Sequence, residues 1–155
     1  VWPLVRQSVP QASFRLIGAN PSDALYAMAD ESVALLGGIS EAALQDEYRR
    51  ARVVVAPLQY GAGVKGKTLE ALQQGIPLVA TRIAAEGIPG ITDQLTVADT
   101  PDAFAEQLVT MLGLSDAQWL DLSHNYTAFA RHTLSIEEAW RHFSRGLNII
   151  GLERE

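Results

Sequence analysis

Short apolar runs alternate along the chain with stretches in which apolar residues recur at helical spacing. The runs predict strands at residues 14–18, 33–38, 53–57, 78–81 and 95–98. The intervening stretches predict helices, the clearest of them at 40–51 and 68–74. Strands that alternate with helices are typical of a parallel sheet covered by helices. We therefore expect an α/β fold with a mostly parallel sheet of about five strands.

The last third of the chain predicts a helical C-terminal tail. Thr100 is expected to cap a helix that has Pro101 at its first position and that ends at Gly113. Two more helices should each begin with a capping box, formed by Ser115 with Gln118 and by Ser135 with Glu138. The aromatic residues along these helices are interpreted as core packing.

A glycine-rich loop, residues 60–67 with the sequence YGAGVKGK, lies between the third predicted strand and the next helix. Its three glycines have no Cβ, so the backbone can turn sharply and come close to a ligand: Gly61, Gly63 and Gly66. Lys65 and Lys67 add positive charge. The first amides of the following helix have no partner within it, and the helix dipole adds partial positive charge there. This order of elements predicts an anion site.

One acidic residue lies close to this predicted anion site. Glu70 is one turn inside the helix, and helical side chains lean toward the helix N-terminus. A carboxylate beside a phosphate site suits sugar hydroxyls, as in dinucleotide-binding folds. The pattern therefore predicts a ligand that carries phosphates with a ribose beside them.

Two other interpretations of the same loop remain. Residues 61–68 match the phosphate-loop pattern G-x-x-x-x-G-K-[ST], in which Lys67 would bind phosphate and Thr68 would bind Mg²⁺. Such a loop normally follows the first strand of its domain, whereas this one follows the third, and Glu70 comes almost directly after it. The chain could also be a non-catalytic nucleotide-binding or interaction module.

Residues 57–81 resemble the C-terminal domain of group 1 (family 4) glycosyltransferases with the GT-B fold. The resemblance is specific over this stretch and looser from Phe14 to the C-terminus. The matching positions are Pro57-Leu58, Gly61-Ala62-Gly63, Lys65, Lys67, Leu69-Glu70-Ala71, Gly75, Pro77-Leu78-Val79 and Ala80-Thr81.

The resemblance implies a site for a nucleotide-diphosphate sugar, in which Glu70 takes the ribose hydroxyls. The implied binding residues are Gly61, Ala62, Gly63, Val64, Lys65, Lys67 and Glu70. Four secondary candidates lie at the ends of predicted strands or in nearby loops: Gly18, Gly37, Tyr60 and Glu86. Many members have a second acidic residue that touches the donor sugar. It would fall on Ala62 or Tyr60 here, and neither is acidic. The donor-sugar contact and the catalytic residues therefore stay unassigned.

The implied activity is a retaining, metal-independent transfer of a sugar to a saccharide or lipid acceptor, in glycan, lipopolysaccharide or exopolysaccharide synthesis. No cofactor or metal is implied. Residues 1–155 would form one Rossmann-like three-layer domain. We expect the acceptor-binding domain, and the first strand of this domain, to lie outside this sequence. The chain by itself should therefore transfer no sugar.

Composition excludes several other classes of protein. The length of 155 residues fits a single domain, and 48% hydrophobic residues are enough to form a sizeable core. The net charge of −6 without a basic run argues against nucleic acid as a partner. No apolar stretch is long enough to span a membrane. Peripheral membrane association through the acceptor-binding domain stays possible. The absence of cysteine fits a cytoplasmic location, and the three histidines lack metal-site spacing.

Overall fold

A computed structural model describes residues 1–133 of the chain. Its strands are β1 (Phe14–Ile17), β2 (Val33–Gly37), β3 (Val54–Ala56) and β4 (Leu78–Ala80). Its helices are α1 (Trp2–Ser8), α2 (Asp23–Tyr26), α3 (Glu41–Arg50), α4 (Gly66–Gln73), α5 (Arg82–Ala85), α6 (Pro101–Leu112) and α7 (Asp116–Thr133), with a 3₁₀ turn at Ile91–Asp93. The predicted α/β class is confirmed.

The strands form two parallel pairs. β1 pairs with β2 from Phe14 opposite Val33, and the register shifts between Leu16 and Ile17. β3 pairs with β4 in a regular register, Val54 opposite Leu78. Parallel neighbours need a crossover connection, and the crossover helices α2 and α4 provide it in the two pairs.

The expected single sheet of about five strands is not confirmed. Within residues 1–133, strand pairing is confined to the two pairs and one isolated bridge between Ala80 and Val97. The predicted strand at 95–98 is shortened because the Leu95 amide donates to the Ile91 carbonyl of the 3₁₀ turn. A ladder bond to β4 therefore forms only at Ala98, whose amide donates to the Ala80 carbonyl at 2.9 Å.

β4 lies between two apolar clusters. Leu78 and Ala80 belong to a cluster with residues of α4, α5 and α7, whereas Val79 belongs to a second cluster with residues of α1 and α6. Successive strand side chains point to opposite faces, so β4 is covered on both sides. This arrangement of helix, strand and helix explains why all three residues of β4 are buried.

Three helices, α3, α6 and α7, begin where the sequence predicts them. The side chains of Ser40 and Thr100 accept hydrogen bonds from the third amide of α3 and α6, and Ser115 with Gln118 forms the capping box before α7. α4 begins at Gly66, two residues earlier than predicted, because Lys65, which has an extended backbone, is its N-cap. The second capping box, at Ser135 and Glu138, lies outside the described residues.

Candidate functional site

The glycine-rich loop connects the end of β3 to the start of α4 and leaves its amides free. From residue 59 to residue 67, none of the backbone amides has a hydrogen-bond partner within the described part of the chain. The Thr68 and Leu69 amides instead donate back to the Lys65 carbonyl. Gly61 and Gly63 have φ values of 132° and 71°, which a residue with a Cβ rarely adopts. The loop can therefore offer several donors to an anion.

Lys65 is enclosed by the loop that it belongs to. Its side chain is 11% exposed, its Nζ donates to the Gly63 carbonyl, and the same atom lies 3.6 Å from Oε2 of Glu86. A Cβ placed on Gly61 would lie 3.2 Å from its Cε. The ammonium group therefore holds the loop together and links it to Glu86, the secondary candidate after β4.

The segment after β4 packs directly against the glycine-rich loop. Gly87 has a φ of 81°, and a Cβ there would lie 3.1 Å from the Val64 amide nitrogen and 3.3 Å from the Gly63 carbonyl carbon. Only glycine allows this approach of two backbones. Glu86 and Gly87 therefore form one wall of the loop.

Glu70 is held by two side chains at the other end of the site. The Tyr48 hydroxyl of α3 donates to its Oε2 at 2.8 Å, and Lys67 Nζ lies 3.0 Å from the same oxygen. Its Oε1 lies 4.0 Å from the position of a Cβ on Gly66, so the carboxylate does lean toward the start of the helix. The side chain remains 39% exposed, and a ligand can reach it.

Thr68 has a structural contact that the phosphate-loop interpretation does not allow for. The residue is fully buried, and its hydroxyl donates to the Ala84 carbonyl of α5 at 2.8 Å. A hydroxyl without access to solvent is poorly placed to bind Mg²⁺, which keeps several waters in such sites. Thr68 therefore ties α4 to α5, and this contact weighs against a phosphate-loop enzyme.

The remaining candidates differ in their surroundings. Tyr60 is 87% exposed and Val64 is 51% exposed, while Ala62 is an exposed residue between the two loop glycines. Gly18 and Gly37 lie where β1 and β2 end, and the Gly18 amide donates to the Gly37 carbonyl at 3.0 Å. These two glycines belong to the other strand pair.

The charges of the site nearly cancel. Lys65 lies beside Glu86, and Lys67 lies beside Glu70, so each cation already has an anionic neighbour. Attraction of an anion therefore depends on the free loop amides and the N-terminus of α4 as well as on the lysines. The exposed carboxylate of Glu70, in turn, can accept hydrogen bonds from hydroxyl groups.

Tyr48 lies within the helix predicted at 40–51, but no sequence pattern assigned it to the site. Gly87 and Thr81 were likewise not assigned to the site. The Thr81 hydroxyl donates to the Leu58 carbonyl at 2.6 Å, which fixes the chain where it leaves β3. Periodicity marks Tyr48 only as a buried position of α3. The contacts of all three residues join segments that are distant in sequence, so local patterns cannot reveal them.

The described residues lack two features, a metal-binding cluster and a membrane-spanning helix. Residues 1–133 hold no group of three or more histidine, aspartate or glutamate side chains placed to bind a metal ion. Among the helices in that range, none combines the length and apolarity needed to cross a membrane.

The chain matches the model of a known family. The family model described as "Glycosyl transferases group 1" matches residues 1–113, which include both strand pairs, the glycine-rich loop and Glu70. No curated protein matches the chain.

Proposed function

The chain belongs to the group 1 glycosyltransferases, and we propose that it is the donor-binding domain of a sugar transferase with the GT-B fold. The donor is a nucleotide-diphosphate sugar. Its diphosphate would lie against the amides of the glycine-rich loop and the N-terminus of α4, and its ribose against Glu70. The observation that carries this proposal is the partly exposed carboxylate of Glu70 beside a run of loop amides that have no hydrogen-bond partner within residues 1–133.

The chemistry of the site suits a diphosphate leaving group. Charge that develops on the departing diphosphate is stabilised by donors that are already in place before the reaction. The loop amides and the exposed ammonium group of Lys67 supply such donors without a metal ion. The helix dipole adds partial positive charge, and Lys65 adds its charge from within the loop. We therefore propose a metal-independent, retaining transfer in the cytoplasm, to a saccharide or lipid acceptor of the glycan, lipopolysaccharide or exopolysaccharide class.

The acceptor has no assigned contacts among the described residues. A reaction between two substrates needs both of them held in register. The chain of 155 residues should therefore bind donor but transfer no sugar, with the acceptor held by a separate domain. Sustained transfer from any nucleotide sugar in a panel, by this chain alone, would contradict this division of the enzyme.

Calorimetry with UDP and GDP in the presence of EDTA tests the proposed site. Binding should appear without metal, and Glu70→Gln should weaken it about tenfold or more, because hydrogen bonds to a charged group contribute about 1.5–3 kcal/mol. Glutamine is nearly isosteric and equally acceptable in a helix, so the melting temperature should hardly move.

Glu106→Gln is the matched control, since Glu106 is an exposed helical glutamate of α6. It should leave the affinity unchanged. Binding that requires Mg²⁺ would favour the phosphate-loop alternative. If Glu70→Gln binds as tightly as the unmutated chain, Glu70 is only the surface partner of Lys67.

A further inference from the structure

Tyr48 makes a contact that packing alone does not explain. It lies near the end of α3, and only 8% of the residue is exposed. Its hydroxyl donates a 2.8 Å hydrogen bond to Glu70, on a different helix 22 residues further along the chain. A buried aromatic ring thus delivers one polar atom to the carboxylate that faces the proposed ligand.

The two oxygens of Glu70 have different surroundings. Oε2 receives both the Tyr48 hydroxyl at 2.8 Å and Lys67 Nζ at 3.0 Å. Within residues 1–133, Oε1 has only the longer contact to Lys67 Nζ, at 3.4 Å. Each carboxylate oxygen can accept about two hydrogen bonds, so Oε2 is fully occupied and Oε1 keeps free capacity. Oε1 is also the oxygen that lies over Gly66 at the helix start.

We propose that Tyr48 is a positioning residue, whose hydroxyl fixes the Glu70 carboxylate so that Oε1 is presented to the ribose hydroxyls of the ligand. This inference rests on the proposed function. A free glutamate side chain must lose rotamer freedom when it binds, and Tyr48 imposes that ordering before the ligand arrives. Lys67 cannot replace it, because its side chain is 67% exposed and is not held in one conformation by packing.

Tyr48 remains a hydrogen-bond donor under all ordinary conditions. Burial raises the pKa of Tyr48, and the neighbouring Glu70 raises it further. The hydroxyl is therefore neutral over the working range and does not repel the carboxylate. Glu41, the other anionic neighbour, acts in the same direction.

The test compares two nucleotides on two forms of the protein. UDP, GDP and their 2′,3′-dideoxy analogues are titrated into the unmutated chain and into Tyr48→Phe, which keeps the ring and removes only the hydroxyl. The unmutated chain should prefer the ribonucleotide. Tyr48→Phe should weaken ribonucleotide binding roughly three- to tenfold and should leave dideoxynucleotide binding unchanged.

Tyr126→Phe is the matched control. Tyr126 is also buried, but it lies in the core beneath β4. Its hydroxyl has no hydrogen-bond partner within residues 1–133. This variant should alter neither affinity. Thermal unfolding of each variant checks that the fold is retained. The double variant Tyr48→Phe/Glu70→Gln gives a second measurement, since Tyr48→Phe should have no further effect once the carboxylate is gone.

The outcomes separate the inference from the proposed function. If the unmutated chain binds no nucleotide, or binds ribo- and dideoxynucleotides equally, the assignment of Glu70 fails and the role of Tyr48 fails with it. If the unmutated chain discriminates and Tyr48→Phe discriminates equally well, only the positioning role is overturned. An equal loss for both ligands would make Tyr48 a purely structural residue.

Discussion

Both strand pairs of this chain are predicted from short apolar runs, but they are buried to different extents. All three residues of β4 are buried, and its pair with β3 is covered by helices on both faces. Along β1, by contrast, burial alternates between intermediate and exposed, and β2 has one buried residue, Val33. Apolar runs in the sequence therefore predict strands without predicting how deeply each strand is buried.

The candidate site lies on the more deeply buried strand pair, β3 with β4. This pair and the helices that cover it form the better packed half of the described chain. The glycine-rich loop leaves β3, and Thr68 and Thr81 fix its two sides through hydrogen bonds to Ala84 and Leu58. The less buried pair contributes to the site only indirectly. A bound diphosphate would thus be held by backbone that the core already positions, as precise sites require.

Helix α3 connects the two halves. Its Glu47 pairs with Arg15 of β1, while its Gln45 accepts a hydrogen bond from Gln74 at the end of α4. Its Tyr48 reaches Glu70. The one residue of this helix that we place in the site therefore depends on how firmly α3 is anchored on both sides.

The largest expected effect comes from shortening one leucine in each half. Leu78→Ala empties a position that is 1% exposed and should lower the free energy of unfolding by about 2–5 kcal/mol. Leu16→Ala removes a half-buried side chain of β1 and should cost about 1 kcal/mol. Urea unfolding of both variants measures the difference. Equal losses would show that the two pairs are equally important to stability.

A second prediction compares two glycines that have nearly the same positive φ angle. Gly75 has a φ of 67° and Gly37 a φ of 65°. A Cβ on Gly75 would lie 2.6 Å from Ser123 Oγ and 2.7 Å from Thr127 Cγ2 of α7, whereas a Cβ on Gly37 would meet nothing within 4 Å.

Alanine at either position must adopt a left-handed conformation, at a cost of about 1–2 kcal/mol. Gly75→Ala should add about 1–3 kcal/mol, because α7 must also move away from α4. The comparison uses the free energies of unfolding of the two variants in urea. A Gly37→Ala variant as unstable as Gly75→Ala would mean that backbone strain alone determines both losses.

The sequence predicted the local elements well, because their causes are local. Ser40, Thr100 and Ser115 cap the helices that their positions predict. The parallel α/β class followed from the alternation of elements. The single five-stranded sheet is not confirmed. Its fifth strand is reduced to one bridge, because the Leu95 amide donates to the Ile91 carbonyl of a 3₁₀ turn that apolar periodicity does not reveal.

The candidate site was predicted less completely than the fold. No sequence pattern predicted that Lys65 would be enclosed by contacts with Gly63 and Glu86. The buried hydroxyl of Thr68 and the contact from Tyr48 were equally unexpected. Each depends on a partner from another part of the chain, and one sequence carries no information on which segments meet.

The smallest expected effect concerns the ion pair that joins α3 to the less buried half. Arg15 and Glu47 form a two-point contact. Nη2 of Arg15 donates to Oε1 of Glu47 at 3.0 Å, and Nε of Arg15 donates to Oε2 of Glu47. Arg15 is 46% exposed and Glu47 is 12% exposed, so solvent screens the pair only in part.

A double-mutant cycle with Arg15→Gln and Glu47→Gln should give a coupling energy of about 0.5–1 kcal/mol, at the upper end for surface pairs because the contact is two-pointed. The more exposed pair of Arg49 with Asp46 on the same helix, at 70% and 53% exposure, is the control and should give about 0.5 kcal/mol or less. Both couplings should fall in 1 M NaCl, where the screening length is about 3 Å. If the Arg15–Glu47 coupling is no larger than that of the control pair, the ion pair does not anchor α3. The position of Tyr48 would then depend on the packing of α3 and on its contacts with α4.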